Sequence, residues 1–439
     1  MAVTLLERVQ RTAAPERPER RVMLNVEDLR EAVQRYVPSE VVAALLEEDP
    51  FRARNELRSA CRQVFAEPAW AAVGAERRDG LTQELVAVVF GMGPLEPLLA
   101  DESITEITVN KGGAVWVERD GVMRPAEASF ASDAQVRGLI DRILGPLGRR
   151  IDESSPSVSA RLPQGHRVHA VVPPVSPDGP VLAIRKFSRK VFSLAQLVEA
   201  GSLEQEAAQF LHWAVAGRRS IAVLGGTGSG KTTLLNALSL SIPTEERIIT
   251  IEDSLELKFS EHPQVVRLEA RHQNAEGLGE VTIRSLVVDS LRMRPDRIIV
   301  GECRGGEALD MLTAMNTGHD GSLTTLHANS PQECIDRLVT MCRYVVDLPP
   351  DVIEAQIGHA FQLMVQTQRH RSGRRFISAI AAVGFCPDTR RCQVVPVYQR
   401  MSPAEEGRWL EVPEWVERLA EEELATEEEV RQWRRALCR

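Results

Sequence analysis

The seven cysteines of this 439-residue sequence, Cys61, Cys303, Cys334, Cys342, Cys386, Cys392 and Cys438, nowhere form a C-x-x-C pair. That argues against a zinc ribbon, and an odd, scattered set reads as reduced thiols rather than a disulfide framework. Long apolar runs are missing as well: none approaches the ~20 residues that a membrane-spanning helix needs. The opening residues, MAVTLLERVQRTAAPERPERR, carry arginine and proline where a secretory signal has its apolar stretch. The expectation is a cytoplasmic chain. Nor is there an excess of positive charge. A formal net charge of −9 offers no global attraction to nucleic acid or anionic lipid, so no nucleic-acid partner is expected.

What is present describes a globular protein, 43% hydrophobic and 26% charged. Its length exceeds one ordinary core, so two or three domains are expected. Residues 1–22, rich in Arg, Glu and Pro, read as a disordered tail, and 23–91 as a helical region broken at Pro38, Pro50–Phe51 and Pro68. From Ile104 the period changes: ITEITVN and AVWVERDG alternate like short strands around a turn at Asp120–Gly121. A helix over 132–145 and two or three further strands make 92–187 a small mixed α/β domain. Residues 188–197 read as a linker. Over 198–400 a helix (206–217) and the strands SIAVL, RIITI, RIIVG and SLTTL alternate with further helices, the order of a nucleotide-binding parallel sheet. Residues 401–439 read as an acidic helical tail forming a solvated amphipathic cap.

SIAVLGGTGSGKTTLLNAL holds the pattern GxxxxGK[ST], comprising Gly225, Gly226, Thr227, Gly228, Ser229, Gly230, Lys231 and Thr232, followed by Thr233. It lies between an apolar strand and a helix, as its mechanism requires. Glycines let backbone N–H groups wrap phosphate oxygens, and the helix N-terminus adds a favourable dipole. Lys231 is expected to reach the β- and γ-phosphates and Thr232 to offer its hydroxyl to Mg²⁺. Hydrolysis needs acids as well. DRIIVGE ends an apolar strand at Glu302, with Gly301 where P-loop enzymes usually carry Asp; IITIEDSLEL supplies Glu252, Asp253 and Glu256 after another strand. Carboxylates at the ends of adjacent parallel strands suit one site that holds Mg²⁺ and orients the attacking water. Asp253 and Glu302 join Thr232 as candidate metal groups. NKGG at 110–113 lacks the Asp of the guanine-reading motif and precedes the P-loop, so ATP is the expected nucleotide.

TGHDGSLTTLHANSP, from 317 to 331, places His319 in a turn and His327 just past a strand. Ser330-Pro331-Gln332-Glu333 then reads as a capping box that opens a helix. Zinc lacks a third ligand nearby, and His166 and His169 would point to opposite faces of a strand. A hydrogen-bonded structural histidine and a sensor of the γ-phosphate both stay open. Arg149–Arg150, Arg161, Arg167, Arg185–Lys186 and Arg189–Lys190 all fall in the middle domain and its linker. Arg185 ends a strand just before the hinge, which suits a phosphate-reaching guanidinium. Cis or trans action is open on these grounds.

GPLEPLLAD, LGRRIDESSP, ARLPQGHRVHAV, LAIRKF, GGTGSGKTTLLNAL, TIEDSLEL and LRMRPDRIIVGECRGGEALDMLTAMNTGHDGSLTTLHANSP follow one another in this order. Together, over roughly residues 80–385, they resemble the secretion-ATPase superfamily, the hexameric motors of type II and type IV secretion and of type IV pili. The likeness is strongest to the tight-adherence (Flp) pilus assembly ATPases, the CpaF/TadA-like branch. The resemblance implies a RecA-like P-loop NTPase domain of mainly parallel sheet. A small mixed α/β, PAS-like domain and a helical N-terminal segment would precede it. It implies Glu302 in the second acidic motif (Gly301 being the family's habit), IEDSLE as the acidic box, and His319 and His327 in the histidine box. It further implies that Arg161 and Arg185 reach a neighbour's phosphates, hence a homohexamer. ATP and Mg²⁺ would be used at subunit interfaces. The ring would sit on the cytoplasmic side of the inner membrane against a platform protein and act indirectly on pilin subunits. RLPQGHRVHA departs from the family pattern at Gln164, His166 and His169, and VDSLRMRP at Asp289, which bears on subunit contacts and coupling.

Three other classes compete. A transporter-type ATPase needs an LSGGQ-like helix start, which is absent. A DNA-translocating ATPase predicts DNA-stimulated hydrolysis, which the acidic balance disfavours. A nucleotide-gated scaffold without hydrolysis would lack the acids that Glu252 and Glu302 supply.

Overall fold

The computed structural model describes residues 24–437 except 39–40, 43–44, 46–48, 120, 188–191, 260–261, 272 and 274–277. The expected tail 1–22, Asp120 of the expected turn and residues 188–191 of the linker lie outside the described residues. The chain divides into two compact units. One ends at Asp101 and adds Gly112–Val115 and Ala126–Leu139; the other comprises Glu102–Lys111, Trp116–Pro125 and Ile140–Arg439.

The first unit is built on helices α1 (Val26–Gln34), α2 (Pro50–Phe65) and α3 (Ala75–Phe90). Asn25 caps α1 by accepting from the Glu27 and Asp28 amides, and Asp49 caps α2 by accepting from those of Phe51 and Arg52. Their inward faces close on Leu29, Leu57, Cys61, Trp70, Leu81 and Leu85, all buried. This is a separate small core, as the helical spacing from Val26 to Phe90 predicts.

In the second unit, β1 (Ile104–Val109), β4 (Ser157–Arg161), β5 (Arg167–Val171) and β6 (Val181–Arg185) belong to a six-stranded sheet with β2 (Ala114–Arg119) and β3 (Val122–Ser129). Its order is β3-β2-β1-β6-β5-β4. Pairing of β1 with β6, of β6 with β5 and of β5 with β4 is antiparallel. The linker expected over 188–197 is partly helical: Ser193 opens a capping box with Gln196, and Leu194–Glu199 form a helix.

A nine-stranded sheet follows. Its parallel part contains β7 (Ile221–Leu224), β8 (Ile248–Glu252), β9 (Val265–Glu269), β10 (Arg297–Cys303), β11 (Leu323–Leu326) and β12 (Leu363–Arg369). Antiparallel β13 (Arg375–Cys386), β14 (Arg391–Gln399) and β15 (Arg408–Trp409) extend one edge. The order is β15-β14-β13-β12-β7-β11-β10-β8-β9. IAVL, IITIE and LTTL are buried at every position, the signature of strands covered on both faces. One core lies around Phe210, Leu235 and Val223, and another around Ile251, Met311 and Leu338. Among the described residues no single helix is long and apolar enough to cross a membrane.

The stretch after Arg400, expected as a solvated cap, instead contributes to the first of these cores. Trp415, Val416, Leu419 and Trp433 are buried there, and the Trp409, Trp415 and Trp433 rings lie 5.4, 5.0 and 6.1 Å from that of Phe210. The Trp433 indole N–H donates to Glu206 O at 2.8 Å. Acidic composition concealed this because the few inward-facing residues, Trp415, Val416, Leu419, Val430 and Trp433, are spread among exposed glutamates.

Candidate active site

Register sets the site. Leu224 of β7 pairs with Leu326 of β11, so Gly225 and His327 leave adjacent strands at the same edge. β10 and β8 run parallel beside β11, bringing Glu302 and Glu252 to that edge in turn. The P-loop, His327, Glu302 and Glu252 thus come from four successive parallel strands, at the carboxyl ends where ligands bind in such sheets.

The P-loop uses left-handed or otherwise strained backbone at Gly225 (φ 150°), Gly228 (φ 70°) and Gly230 (φ 101°). A Cβ at Gly225 would come within 2.5 Å of Thr367 O and Oγ1, so glycine is required there by close approach too. Ser229 Oγ donates to Gly226 O at 2.9 Å and lies 2.8 Å from Thr367 Oγ1, which donates to Leu224 O. Arg375 Nε donates to Gly228 O at 2.8 Å. Thr367 and Arg375 are additions that sequence reasoning missed, because nothing local shows that β12 lies against β7.

Helix Lys231–Ser239 begins directly after the loop, with Thr232 and Thr233 in its first turn. Lys231 is 8% exposed, and its Nζ donates to Gly225 O at 3.0 Å and Gly226 O at 2.9 Å. Burial drives its pKa down to about 8, against the pull of Glu302 and with the help of Arg185 and Arg304. Such a desolvated ammonium, hydrogen-bonded only to neutral groups, fits a polyphosphate.

His327 Nε2 stands 3.4 Å from Lys231 Nζ and 2.8 Å from Glu302 Oε1. Burial first, then Lys231, lowers its pKa, so the ring is neutral at pH 7. One nitrogen thereby faces an ammonium and a carboxylate: in the tautomer with Nε2 unprotonated it accepts from Lys231, while its approach to Glu302 Oε1 is a close polar contact. Glu302 Oε2 accepts from Arg304 at 2.6 Å, while Oε1 is buried with no hydrogen-bond partner among the described residues. Burial raises the Glu302 carboxyl, but Arg304 and the neighbouring cations outweigh it and leave the pKa lowered. Arg304, also missed, sits within the GECRGGE motif.

Glu252 is 3% exposed. Its Oε2 accepts from the Glu256 and Leu257 amides at 2.7 and 2.9 Å, and its Oε1 is buried with no hydrogen-bond partner among the described residues. Burial pushes its pKa up to about 7 against those two donors. A Cβ at position 301 would lie 2.9 Å from Glu252 Cγ. That is the physical reason for Gly301: the Glu252 side chain needs the space.

Among the described residues Glu302 and Glu252 each keep a buried carboxylate oxygen without a hydrogen-bond partner, and Glu302 is close enough to Lys231 to act on its pKa, an arrangement that fits Mg²⁺ with ATP. Among the described residues no three acidic, histidine or cysteine side chains form a metal cage. None is needed when phosphates and water supply most of the ligands. When bound, Mg²⁺ supplies charge neutralisation of the phosphates.

The arginines form a row. Arg161 pairs with Arg167 across β4–β5, and Arg167 with Arg185 across β5–β6, so directly opposed positions share one face. All three line a cleft of about 490 Å³ together with Asp253, Ser254 and Glu269. Arg185 is exposed and close enough to Lys231 to lower its pKa. Arg161 is not free to reach phosphate in this arrangement. Its NH1 donates to Glu269 Oε1 at 2.6 Å and its NH2 to Leu255 O at 2.7 Å.

One candidate lies elsewhere. His319 precedes β11 and therefore sits at the opposite end of the sheet from the P-loop. Four strand residues at ~3.3 Å each separate it from His327, and its Nδ1 lies 2.9 Å from Ala314 O. It serves as a structural cap on the preceding helix, not as a group of this chain's nucleotide site. The capping box expected after His327 is half present: Ser330 Oγ accepts from the Glu333 amide at 3.1 Å. Glu333 itself reaches Asn329, accepting from N at 3.1 Å and from Nδ2 at 3.0 Å.

Fold and site together define a P-loop ATPase. The family described as "Type II/IV secretion system protein" matches residues 90–374. A putative conjugal transfer protein of Mycobacterium tuberculosis is 40% identical over 299 residues, 67% of this chain and 84% of that protein. The type IV secretion system protein VirB11 of Brucella suis is 33% identical over 349 residues, 71% of this chain and 94% of that one. The crystal structure of that ATPase with sulphate is similar at 32% identity, covering 70% of this chain and 99% of the other with a TM-score of 0.37. The chain belongs to the type II/IV secretion system protein family and is an ATP-hydrolysing member of the secretion-ATPase superfamily.

Proposed function

We propose that the chain is the subunit of a homohexameric motor that powers a tight-adherence (Flp) pilus or a related type II or type IV secretion machine. It would act from the cytoplasmic face of the inner membrane through a platform protein and indirectly on pilin subunits. Lys231 binds the β- and γ-phosphates, the Thr232 hydroxyl holds Mg²⁺, and Glu302 and Asp253 hold it through water. Glu252 or Glu302 orients and activates the attacking water. His327 reads the phosphate state, and Arg185 completes a neighbouring subunit's site. The observation that carries the motor reading is the Lys231–His327–Glu302 chain. It links the phosphate-binding lysine to the helix Pro331–Cys342 through four residues.

Two results test it. His327→Ala is expected to change ATP affinity by less than about 1.4 kcal/mol, a factor of ten, while hydrolysis falls well below wild type. A fully active His327→Ala protein ends the sensor assignment. Lys231→Ala and Arg185→Ala subunits, each inactive alone, are expected to regain activity when mixed, because some interfaces then pair intact lysine with intact arginine. No recovery in verified mixed rings places Arg185 in cis or outside the site.

The conjugal-transfer name of the mycobacterial relative favours a second reading, a motor of a DNA-transfer apparatus. Hydrolysis stimulated by DNA, or co-purification of a conjugation membrane component instead of a pilus platform, would select it.

A further inference from the structure

We infer that Arg161 and Arg167 are positioning residues: they clamp the loop at 253–257 from the six-stranded sheet and thereby hold the Glu252 carboxylate in place within the same subunit. The inference rests on the reading of Glu252 as a group that orients the attacking water.

The loop is folded around Glu252. Both hydrogen bonds to Glu252 Oε2 come from its backbone, at Glu256 N and Leu257 N. What fixes those amides therefore fixes the carboxylate. Three contacts hold the loop from the small sheet. Arg161 NH2 donates to Leu255 O at 2.7 Å, Arg167 NH2 to Ser254 O at 3.4 Å, and Arg167 NH1 lies 3.2 Å from Glu256 Oε1. Glu269 ties the clamp together by accepting from Arg161 and, at 3.3 Å, from Leu255 N. On the other side, Asn236 of the P-loop helix accepts from Lys258 N at 2.8 Å and donates to Glu256 O at 3.5 Å.

The loop is thus a strap between the helix that follows the P-loop and the sheet that bears the arginines. Three arginines in directly opposed register repel one another unless acceptors face them. Loop carbonyls and the carboxylates of Glu256 and Glu269 meet that need for Arg161 and Arg167. Arg185, the third, remains exposed. Members of one row so take different work: two hold the strap, and one is left for an anion. Bidentate guanidinium geometry suits holding backbone carbonyl and carboxylate together, which lysine cannot reproduce.

The test uses full-length protein carrying Arg167→Ala, Arg167→Lys, Arg167→Glu and the exchange Arg167→Glu with Glu256→Arg. Steady-state ATP hydrolysis, binding of a fluorescent ATP analogue and hydrogen–deuterium exchange over 252–258 are read together. Arg167→Ala is expected to lower kcat by roughly 10- to 100-fold with KM changed less than about threefold. Exchange at the Glu256 and Leu257 amides should accelerate. Arg167→Lys should fall between, and the exchanged pair should recover kcat and slow exchange relative to Arg167→Glu, which separates a clamp from simple loss of folding. Faster exchange with unchanged kcat upholds the clamp and removes Glu252 from the chemistry instead. Unaltered exchange at those amides in Arg167→Ala, or no recovery in the exchanged pair, overturns the inference.

Discussion

Lys231→Ala is expected to abolish ATP hydrolysis, to below about 1% of wild type, and to weaken ATP binding by at least roughly tenfold. The basis is the buried state of the ammonium, which hydrogen-bonds only to P-loop carbonyls and to a neutral imidazole. Its pKa of about 8 is low because burial costs the charged form. A polyphosphate reverses that cost, so binding raises the pKa. The sign follows: above pH 8 the nucleotide-free protein has lost this proton and must regain it to bind ATP. ATP affinity should therefore fall as pH rises through about 8. Calorimetry at pH 8 in buffers of different ionisation enthalpy should show proton uptake on binding in wild type and none from this site in Lys231→Ala. Equal proton uptake in both proteins would remove Lys231 from phosphate binding.

Glu252→Gln is expected to slow hydrolysis by about 10²–10⁴-fold, the range of a lost general base, while ATP still binds. The same substitution should stabilise the protein, but only at higher pH. The Glu252 pKa is raised from 4.5 to about 7 by burial. A raised folded-state value means that the folded protein holds this proton more tightly than the unfolded chain. Stability from this group is complete below 4.5 and is lost as pH climbs through about 7. The loss is on the order of 3 kcal/mol above that pH. Glutamine keeps the acceptor for the Glu256 and Leu257 amides without the buried charge. Thermal melts should show Glu252→Gln more stable than wild type at pH 8 and level with it at pH 5. Equal melting at both values would show that Glu252 is not buried as a charge. Wild-type turnover in the variant would leave Glu302 as the water-activating carboxylate.

Much of the site was legible because P-loop chemistry is written in contiguous residues. Gly225 to Thr232 must be adjacent to wrap a phosphate, and a buried strand must precede them. Glu252 and Glu302 were legible for a related reason: each follows a short, mainly apolar run, and parallel sheets place ligands at such ends. His327 followed by the same logic. His319 did not, although it lies in the same segment, because eight residues spanning a turn and a strand carry the chain from one end of the sheet to the other. Proximity in sequence is not proximity in a parallel sheet, where a strand is a traverse.

The arginines show the other limit. Arg161, Arg167 and Arg185 are visible as charges on strands, but their opposition in one row is set by antiparallel register, which depends on turn lengths and on which faces are buried. Their acceptors, Leu255 O, Ser254 O and two glutamates, lie about ninety or more residues away in places. Likewise Thr367 and Arg375 reach the P-loop only because β12 pairs with β7.

By itself the sequence determined that the chain folds around a nucleotide-binding parallel sheet, because strand–glycine-loop–lysine–helix order and apolar periodicity are local properties. It determined that the glycine loop Gly225–Gly230 stands between a buried strand and a helix that opens on Lys231. Tertiary structure decided which charges meet: that Lys231 is buried beside His327 and Glu302, that Glu252 fills the space left by Gly301, and that the aromatic tail closes on Phe210. Those outcomes depend on strand order and register across the whole sheet, which long-range burial settles and no short stretch of residues encodes.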